Sequence, residues 1–264
     1  MPLLLWIVLF TLLGGALSAL AASTFLMASE RTRARVLPHL VSFATGALLG
    51  AALLGLLPHA IENAGAEKTH QIGLTILAGL LIFFVLEKLV LWRHCHQDVC
   101  EGHLPHGDAH NHEHRDAASA SLILIGDGFH NILDGVLIAA AFMTDVHLGV
   151  VTALAVFAHE IPQEVGDLAI LLHGGMSRKK AALLNLFTSM TSVLGGIAAY
   201  FALAHIQHVL PYALALAASS FLYIAVADLI PGLHRRVDAG SGVRQFFLIA
   251  LGVVVIYVSH GMAH

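Results

Sequence analysis

Two short polar stretches inside apolar sequence decide how this chain folds. Residues 127–135 read Asp-Gly-Phe-His-Asn-Ile-Leu-Asp-Gly, and residues 159–167 read His-Glu-Ile-Pro-Gln-Glu-Val-Gly-Asp. Each lies inside an apolar run of about 20 residues or more, the length of helix that crosses a bilayer. Carboxylates carried to the middle of such a helix need a compensating partner.

The composition predicts a polytopic membrane protein. Of the 264 residues, 58% are hydrophobic and only 11% are charged, whereas soluble domains carry about 25% charged residues. The mean hydropathy is +0.81. These values exclude a water-soluble globular protein. We expect the outer surface of the protein to contact the lipid bilayer. The net charge of -4 provides no basic surface for nucleic acid, so no nucleic-acid partner is expected.

The apolar runs predict an all-α integral membrane protein with eight transmembrane helices in a single domain over residues 1–264. A cleaved signal peptide is the alternative for the first helix, but its apolar run is too long for an h-region and no Lys or Arg precedes it. The expected spans are about 2–28, 37–62, 70–92, 118–143, 148–173, 179–204, 209–232 and 243–260.

The basic residues predict the orientation. If the spans alternate, almost all Lys and Arg share one side, which the positive-inside rule assigns to the cytoplasm of a cell (inner) membrane. Both termini are then non-cytoplasmic, and only Lys68 lies outside. The residues on the shared side are Arg31, Arg33, Arg35, Lys88, Arg93, Arg115, Arg178, Lys179, Lys180, Arg235, Arg236 and Arg244.

The hydrophilic stretch at about 93–117 is rich in metal-binding residue types, and imidazole is the commonest neutral metal ligand. We expect a disordered cytosolic loop that captures metal, with a solvated linker as the equally weighted alternative. In a reducing cytosol its two cysteines favour a metal-ligand pair over a disulfide. The residues concerned are His94, Cys95, His96, Cys100, His103, His106, His110, His112 and His114.

The polar residues of helices 4 and 5 form one stripe on each helix. At 100° per residue, Asp127, His130, Asn131 and Asp134 lie on one face. His159, Glu160, Gln163, Glu164 and Asp167 also share a face. Five carboxylates at this depth cost on the order of 15 kcal/mol unless hydrated, protonated or metal-bound. Interhelical hydrogen bonding, the structural alternative, applies best to the stripe ends at Asp127 and Asp167.

The charge of the side chains in the predicted site indicates what the site binds. Neither stripe contains Lys or Arg, so the site attracts a cation. Imidazole nitrogen with carboxylate and amide oxygen suits Zn(II), Fe(II) or Mn(II), and the lack of thiolate argues against Cu(I). A proton relay is the alternative, but carboxamides such as Asn131 and Gln163 do not carry protons by titration.

The two stripes repeat one pattern. His130-Asn131-x-x-Asp134 and His159-Glu160-x-x-Gln163 place potential ligands at the same spacing on helices of opposite direction, as an inverted repeat around a midplane site would. We expect a turn of about four residues near 144–147 between them. Pro162 does not donate to the Ala158 carbonyl, so helix 5 should bend at the site.

These motifs resemble the ZIP family of divalent metal transporters, and more closely its LIV-1-type branch. The resemblance rests on the His-Asn-x-x-Asp-Gly of helix 4 and the His-Glu-x-Pro-x-Glu-x-Gly-Asp of helix 5. It extends to Leu57-Pro58-His59 in helix 2 and to Phe221–Ala225, Asp228 and Pro231 in helix 7. It implies eight helices, arranged as a 3+2+3 inverted repeat with a metal site between helices 4 and 5.

The resemblance further implies uptake of Zn(II), with Fe(II), Mn(II) or Cd(II) as other candidates, into the cytoplasm through a binuclear site. The metal is cargo, no prosthetic group is expected, the protein is not an enzyme, and a homodimer is one compatible assembly. The implied ligands are His130, Asn131, Asp134, His159, Glu160 and Gln163, with Glu164 as a further candidate. His59, Asp127 and Asp167 are candidates for the transport path. His59 is equally compatible with an interfacial histidine.

The sequence departs from the family pattern in three places. Many relatives have His or Glu at the position of Gln163, and some have an Asp and a His where Ala51 and Gly55 stand. Helix 6 lacks the Glu that some members use for a second metal and offers Thr188, Ser189 and Ser192.

Small residues in helices 2 and 6 predict close helix packing rather than chemistry. They are Gly46-x-x-x-Gly50, Ala51-x-x-x-Gly55 and Gly195-Gly196.

Two other functions fit parts of the sequence. A membrane-embedded zinc hydrolase would use His159 and Glu160 as in the metalloprotease helix motif, but Gln163 stands where that motif needs a second His. A metal exporter of the cation-diffusion type resembles six spans followed by a large soluble domain. Eight spans with only a short tail argue against it.

Substitutions of Gln163 test the predicted metal preference. Because imidazole suits Zn(II) and an added carboxylate suits harder ions, we expect Gln163→His to lower the apparent KM for Zn(II) and Gln163→Glu to shift preference toward Mn(II) or Fe(II). Competition uptake assays on both variants measure this. An unchanged metal ranking and unchanged affinity in both would place Gln163 outside the set of ligands.

Overall fold

A computed structural model describes residues 2–94, 112–173, 175–234 and 239–261, with side chains for 2–89, 124–172, 175–234 and 241–259. In these ranges the chain forms eight helical segments. They are α1 (Leu3–Phe25), α2 (Glu30–Ala64), α3 (Thr69–His94), α4 (His112–Thr144), α5 (Val146–His173), α6 (Arg178–Ala204), α7 (Gln207–His234) and α8 (Ala239–Gly261).

Seven of these segments are long and apolar enough to cross a membrane by length and composition. The exception is α5, which is 28 residues long but carries the polar stretch 159–167. The all-α membrane fold predicted from the sequence is therefore confirmed.

Two predicted boundaries are wrong for identifiable reasons. Helix α2 begins at Glu30 rather than about residue 37, because Ser29 caps it by accepting a hydrogen bond from the Thr32 amide at 3.2 Å. Its arginine-bearing first turns extend beyond the apolar run that hydropathy detects. Helix α4 likewise begins at His112 rather than about residue 118.

The predicted four-residue turn between α4 and α5 is also wrong. A single residue, Asp145, separates the two helices. Its Oδ1 accepts a hydrogen bond from the Leu148 amide at 2.9 Å, which is the action of an N-cap. This short connection fixes the register of the two helices that carry the polar stripes.

The helix contacts are symmetric between the two halves of the chain. A contact in one half has a counterpart in the other when α1 is paired with α6, α2 with α7, α3 with α8, and α4 with α5. Helices α1, α4, α5 and α6 pack against one another. The α2–α8 contact corresponds to α7–α3, and α2–α5 corresponds to α7–α4. This pairing is consistent with the expected 3+2+3 inverted repeat, in which α4 and α5 occupy the centre.

Helices α2 and α7 share a local irregularity. A π-helical segment at Ala51–Leu56 precedes Pro58, and another at Ile224–Leu229 precedes Pro231. Proline lacks the amide that an α-helix needs, and a wider turn accommodates this loss. The two helices that flank the central pair therefore have altered backbone hydrogen bonding at equivalent places.

Glycines permit the closest helix contacts. A Cβ on Gly135 would lie 1.8 Å from the Ser192 carbonyl oxygen, and one on Gly195 would lie 2.1 Å from the Ile132 carbonyl oxygen. Between α2 and α8, a Cβ on Gly46 would lie 2.0 Å from the Ile249 carbonyl oxygen. The close packing predicted for helices 2 and 6 is confirmed, and it brings α6 directly onto the polar stripe of α4.

We expect Gly135→Ala to destabilise the protein by about 1–3 kcal/mol, because the methyl group forces α4 and α6 apart. Gly126→Ala is the matched control on the same helix, where a Cβ would meet nothing within 4 Å. Thermal unfolding in detergent compares the two variants. Equal stability of both would contradict the close-contact explanation.

Candidate metal centre

Four side chains from α4 and α5 converge on one point. The Nε2 atoms of His130 and His159 lie 3.4 Å apart, and each lies 3.3 Å from Glu160 Oε1. Asp134 Oδ2 lies 3.4 Å from His159 Nε2 and 3.7 Å from His130 Nε2. The predicted meeting of the two stripes is therefore observed for these four residues.

The spacing of the four atoms matches a tetrahedral metal. Ligand atoms bound to Zn(II) at about 2.0–2.2 Å lie about 3.3–3.6 Å from one another in a tetrahedron. The recorded separations of 3.3–3.7 Å agree with that value. All five of these separations involve a histidine, and the four side chains form a possible metal-binding group that includes neither Asn131 nor Gln163.

Burial separates this cluster from water. The side chains of Asp134, His159 and Glu160 are 0–1% exposed, and only His130 is partly accessible, at 22%. His130 is thus the most accessible of the four side chains.

The hydrogen bond made by His159 sets its chemistry. Its Nδ1 lies 3.1 Å from the Ala155 carbonyl oxygen and, because a carbonyl only accepts, Nδ1 carries the proton. In the neutral ring the Nε2 lone pair then points into the cluster, the form that a metal binds.

The carboxylates lack the partners that burial normally requires. Within the side chains the structure describes, both oxygens of Asp134 and both of Glu160 accept no hydrogen bond. The ion pairs found there involve only the two histidines. Buried charge without a fixed cation is strongly unfavourable, so the cluster is built to receive a positive charge.

A second group of carboxylates adjoins the first. Asp127, Glu160 and Glu164 place one oxygen each within 4.8 Å of one another, and Glu160 belongs to both groups. Asn131 Nδ2 donates to Asp127 Oδ1 at 2.9 Å, while Asn131 Oδ1 has no partner among the described residues. The amide oxygen thus remains open to a metal.

Helix α6 supplies donors that sequence reasoning missed. Glu164 accepts hydrogen bonds from Ser189 Oγ at 2.5 Å and from Asn185 Nδ2. Ser189 is among the helix 6 residues expected from the sequence, with Thr188 and Ser192, but Asn185 is not. The missed signal is the spacing of Asn185, Ser189 and Ser192, which places them on one helical face toward α4 and α5.

The remaining predicted residues have other placements. His59 Nδ1 lies 3.0 Å from the Gly55 carbonyl oxygen of its own helix, and His59 and Asp167 belong to neither carboxylate group. Gln163 is partly buried, and its metal contact stays a prediction, as does the bend at Pro162. The side chains of the loop residues from His94 to His114 lie outside the described ranges.

The fold and this cluster define a class: a polytopic membrane protein with a buried group of His, Asp and Glu side chains between two central helices. Comparison with known proteins identifies the family. The sequence model described as "ZIP Zinc transporter" matches residues 2–119 and 92–260, so the chain belongs to this family.

Its relatives carry names from the same family. The chain is 33% identical over 235 residues to zinc transporter ZIP13 of Pongo abelii, covering 83% of this chain and 66% of that protein. For human ZIP13 the identity is 31% over 264 residues, covering 83% and 70%. For zinc transporter foi of Drosophila melanogaster it is 41% over 138 residues, covering 52% and 19%. The chain spans about two thirds of the ZIP13 relatives, and the predicted LIV-1-type resemblance is confirmed.

We expect Asn185→Ala to destabilise the protein by about 1–3 kcal/mol, because Glu164 loses a buried donor. Asn185→Asp should cost more in metal-free protein, since it adds a like charge, and added Zn(II) should reverse that excess. Thermal unfolding with and without Zn(II) measures both effects, with the exposed Asn63→Ala as control. Wild-type stability of Asn185→Ala would show that its hydrogen bond to Glu164 contributes nothing.

Proposed function

We propose that this protein carries divalent transition-metal cations, Zn(II) foremost, across the membrane into the cytoplasm through the α4–α5 cluster. The observation that carries the proposal is the group of two imidazole nitrogens and two carboxylate oxygens, in which each nitrogen lies 3.3–3.7 Å from both oxygens and 3.4 Å from the other nitrogen. Among the described residues, none of the ion pairs in this group includes a Lys or Arg. The proposed ligands are His130, Asp134, His159 and Glu160.

The donor set favours Zn(II) over harder ions. Two nitrogens and two oxygens in four-coordinate geometry suit Zn(II), whereas Mn(II) and Mg(II) prefer six oxygen-rich ligands. Fe(II) and Cd(II) remain candidates for competition assays. The names of the ZIP13 and foi relatives contain the same metal.

The second carboxylate group supports a binuclear arrangement. Glu160 is shared by both groups, so one carboxylate would bridge two ions. We propose Asp127, Asn131 and Glu164 as the residues that hold the second ion. The donors from Asn185 and Ser189 satisfy part of the charge on Glu164, which makes this position the weaker of the two.

The neighbouring helices support movement of cargo. Phe221 of α7, just before the π-helical segment, lies with its ring centroid 6.4 Å from that of His159. The π-helical segment of α2 contacts α5, where a Cβ on Gly55 would lie 3.2 Å from Leu148 Cδ1. We propose that α2 and α7 adjust at these segments to open the site to either side in turn.

The direction of transport, into the cytoplasm, is what the family resemblance implies. The charge distribution supports the orientation, in which the basic residues lie in the cytoplasm. A resident prosthetic group has no role in this proposal, and the metal is the substrate.

We expect His130→Ala to lower the initial rate of Zn(II) uptake by proteoliposomes at least about tenfold, because one of four ligands is lost. His205→Ala is the matched control: its ring is exposed and lies against the Phe201 carbonyl oxygen of its own helix. Radiotracer uptake measures the rate, with a panel of Zn(II), Fe(II), Mn(II) and Cd(II).

Gel filtration and circular dichroism confirm that both variants insert and fold. Wild-type Zn(II) uptake by a well-folded His130→Ala protein would contradict the assignment of this cluster as the transport site.

A further inference from the structure

A cavity of about 450 Å³ lies away from the metal cluster, where the ends of α1, α2, α5 and α6 meet. Three of its lining residues are basic, namely Arg33, Arg178 and Lys179. Much of the remaining wall is apolar and includes Leu26, Leu168 and Leu172. The cavity thus combines a cationic rim with an apolar interior.

The three basic side chains have no acidic partner in the part of the chain that the structure describes. The ion pairs recorded there are confined to His130 and His159. Arg33 is partly buried, whereas Arg178 and Lys179 are exposed. Ser177, which precedes α6, makes no side-chain capping bond, so the first amides of that helix add positive potential at the same place.

The position of the cavity indicates where a ligand would come from. It is formed by the last turn of α1, the first turns of α2 and α6, and the last turns of α5. These helix ends carry the arginine and lysine clusters at 31–35 and 178–180, which mark the membrane–water boundary on one side of the bilayer. An apolar wall at that depth faces acyl chains, and basic residues at the rim face headgroups.

We propose that this cavity binds an anionic phospholipid of the leaflet it faces. The phosphate lies among Arg33, Arg178 and Lys179, and the beginning of an acyl chain packs on Leu168 and Leu172. Anionic lipids of the cytoplasmic leaflet attract such basic clusters, and guanidinium groups bind phosphate through paired hydrogen bonds.

A segment of the chain itself is the competing occupant. The stretch 95–111 contains the acidic residues Asp98, Glu101 and Asp108. It is mostly polar, however, and offers little to cover the leucine wall. The apolar lining therefore favours the lipid.

The test uses the purified full chain in detergent and native mass spectrometry. Dioleoyl phosphatidylglycerol and dioleoyl phosphatidylcholine are titrated separately. We expect tighter retention of phosphatidylglycerol, and at least about tenfold weaker retention by the triple variant Arg33→Ala, Arg178→Ala, Lys179→Ala.

The control variant removes the same charge elsewhere on that side of the protein. It is Arg31→Ala, Lys88→Ala, Lys180→Ala, at exposed positions that do not line the cavity. Its phosphatidylglycerol binding should stay within about twofold of wild type, since none of these three side chains lines the cavity. An equal loss in both triple variants would overturn the proposal in favour of general surface attraction.

A second variant keeps every charge and fills the space. Ala182→Trp, on the cavity wall, should also weaken phosphatidylglycerol retention, and it guards against misfolding of the triple variant. Undiminished retention in Ala182→Trp would overturn the assignment of the cavity.

Two further experiments test whether another ligand occupies the cavity. Glycerol 3-phosphate, which has no acyl chains, should not compete with the lipid, and competition by it would indicate a site for soluble phosphate instead. Deletion of residues 96–110 should leave lipid retention unchanged. A rise in retention on deletion would identify the loop as the native occupant and overturn the proposal.

Discussion

The structure depends on one electrostatic constraint: buried carboxylates face imidazole nitrogens at the centre of an apolar bundle, and no fixed cation balances them. Asp134 and Glu160 are fully buried, and their oxygens accept no hydrogen bond among the described side chains. In a medium of low dielectric such an arrangement is strongly unfavourable by itself. A cation that enters would lower its free energy, so a geometry that is costly for folding favours cation binding.

The rest of the bundle holds this cluster in place. The connection through Asp145 fixes α4 against α5, and the close approach at Gly135 and Gly195 fixes α6 against α4. This approach lets Asn185 and Ser189 reach Glu164. Rigid backbone contact around the ligands keeps their separations near the tetrahedral value, because any spreading of the helices would move the ligand atoms apart.

The flanking helices contribute a different property. Helices α2 and α7 interrupt regular hydrogen bonding at equivalent π-helical segments, each followed by a proline. Phe221, just before the segment of α7, lies near His159, and the segment of α2 contacts α5 where Gly55 meets Leu148. The His/Asp/Glu cluster therefore lies beside two helices whose backbone hydrogen bonding is irregular.

The sequence by itself determined the membrane class, the helices to within a few residues at most boundaries, and the polar stripes at 127–134 and 159–167. Those features follow from hydrophobic length and from the 100° helical period, which are properties of single helices. Only the tertiary structure decided which stripe residues meet, that Glu160 belongs to two carboxylate groups, and that Asn185 serves Glu164. Such relations depend on the register between helices, and that register is set by a one-residue connection and by glycine contacts more than 50 residues apart along the chain. Contacts between residues so far apart along the chain produce no periodic pattern in the sequence.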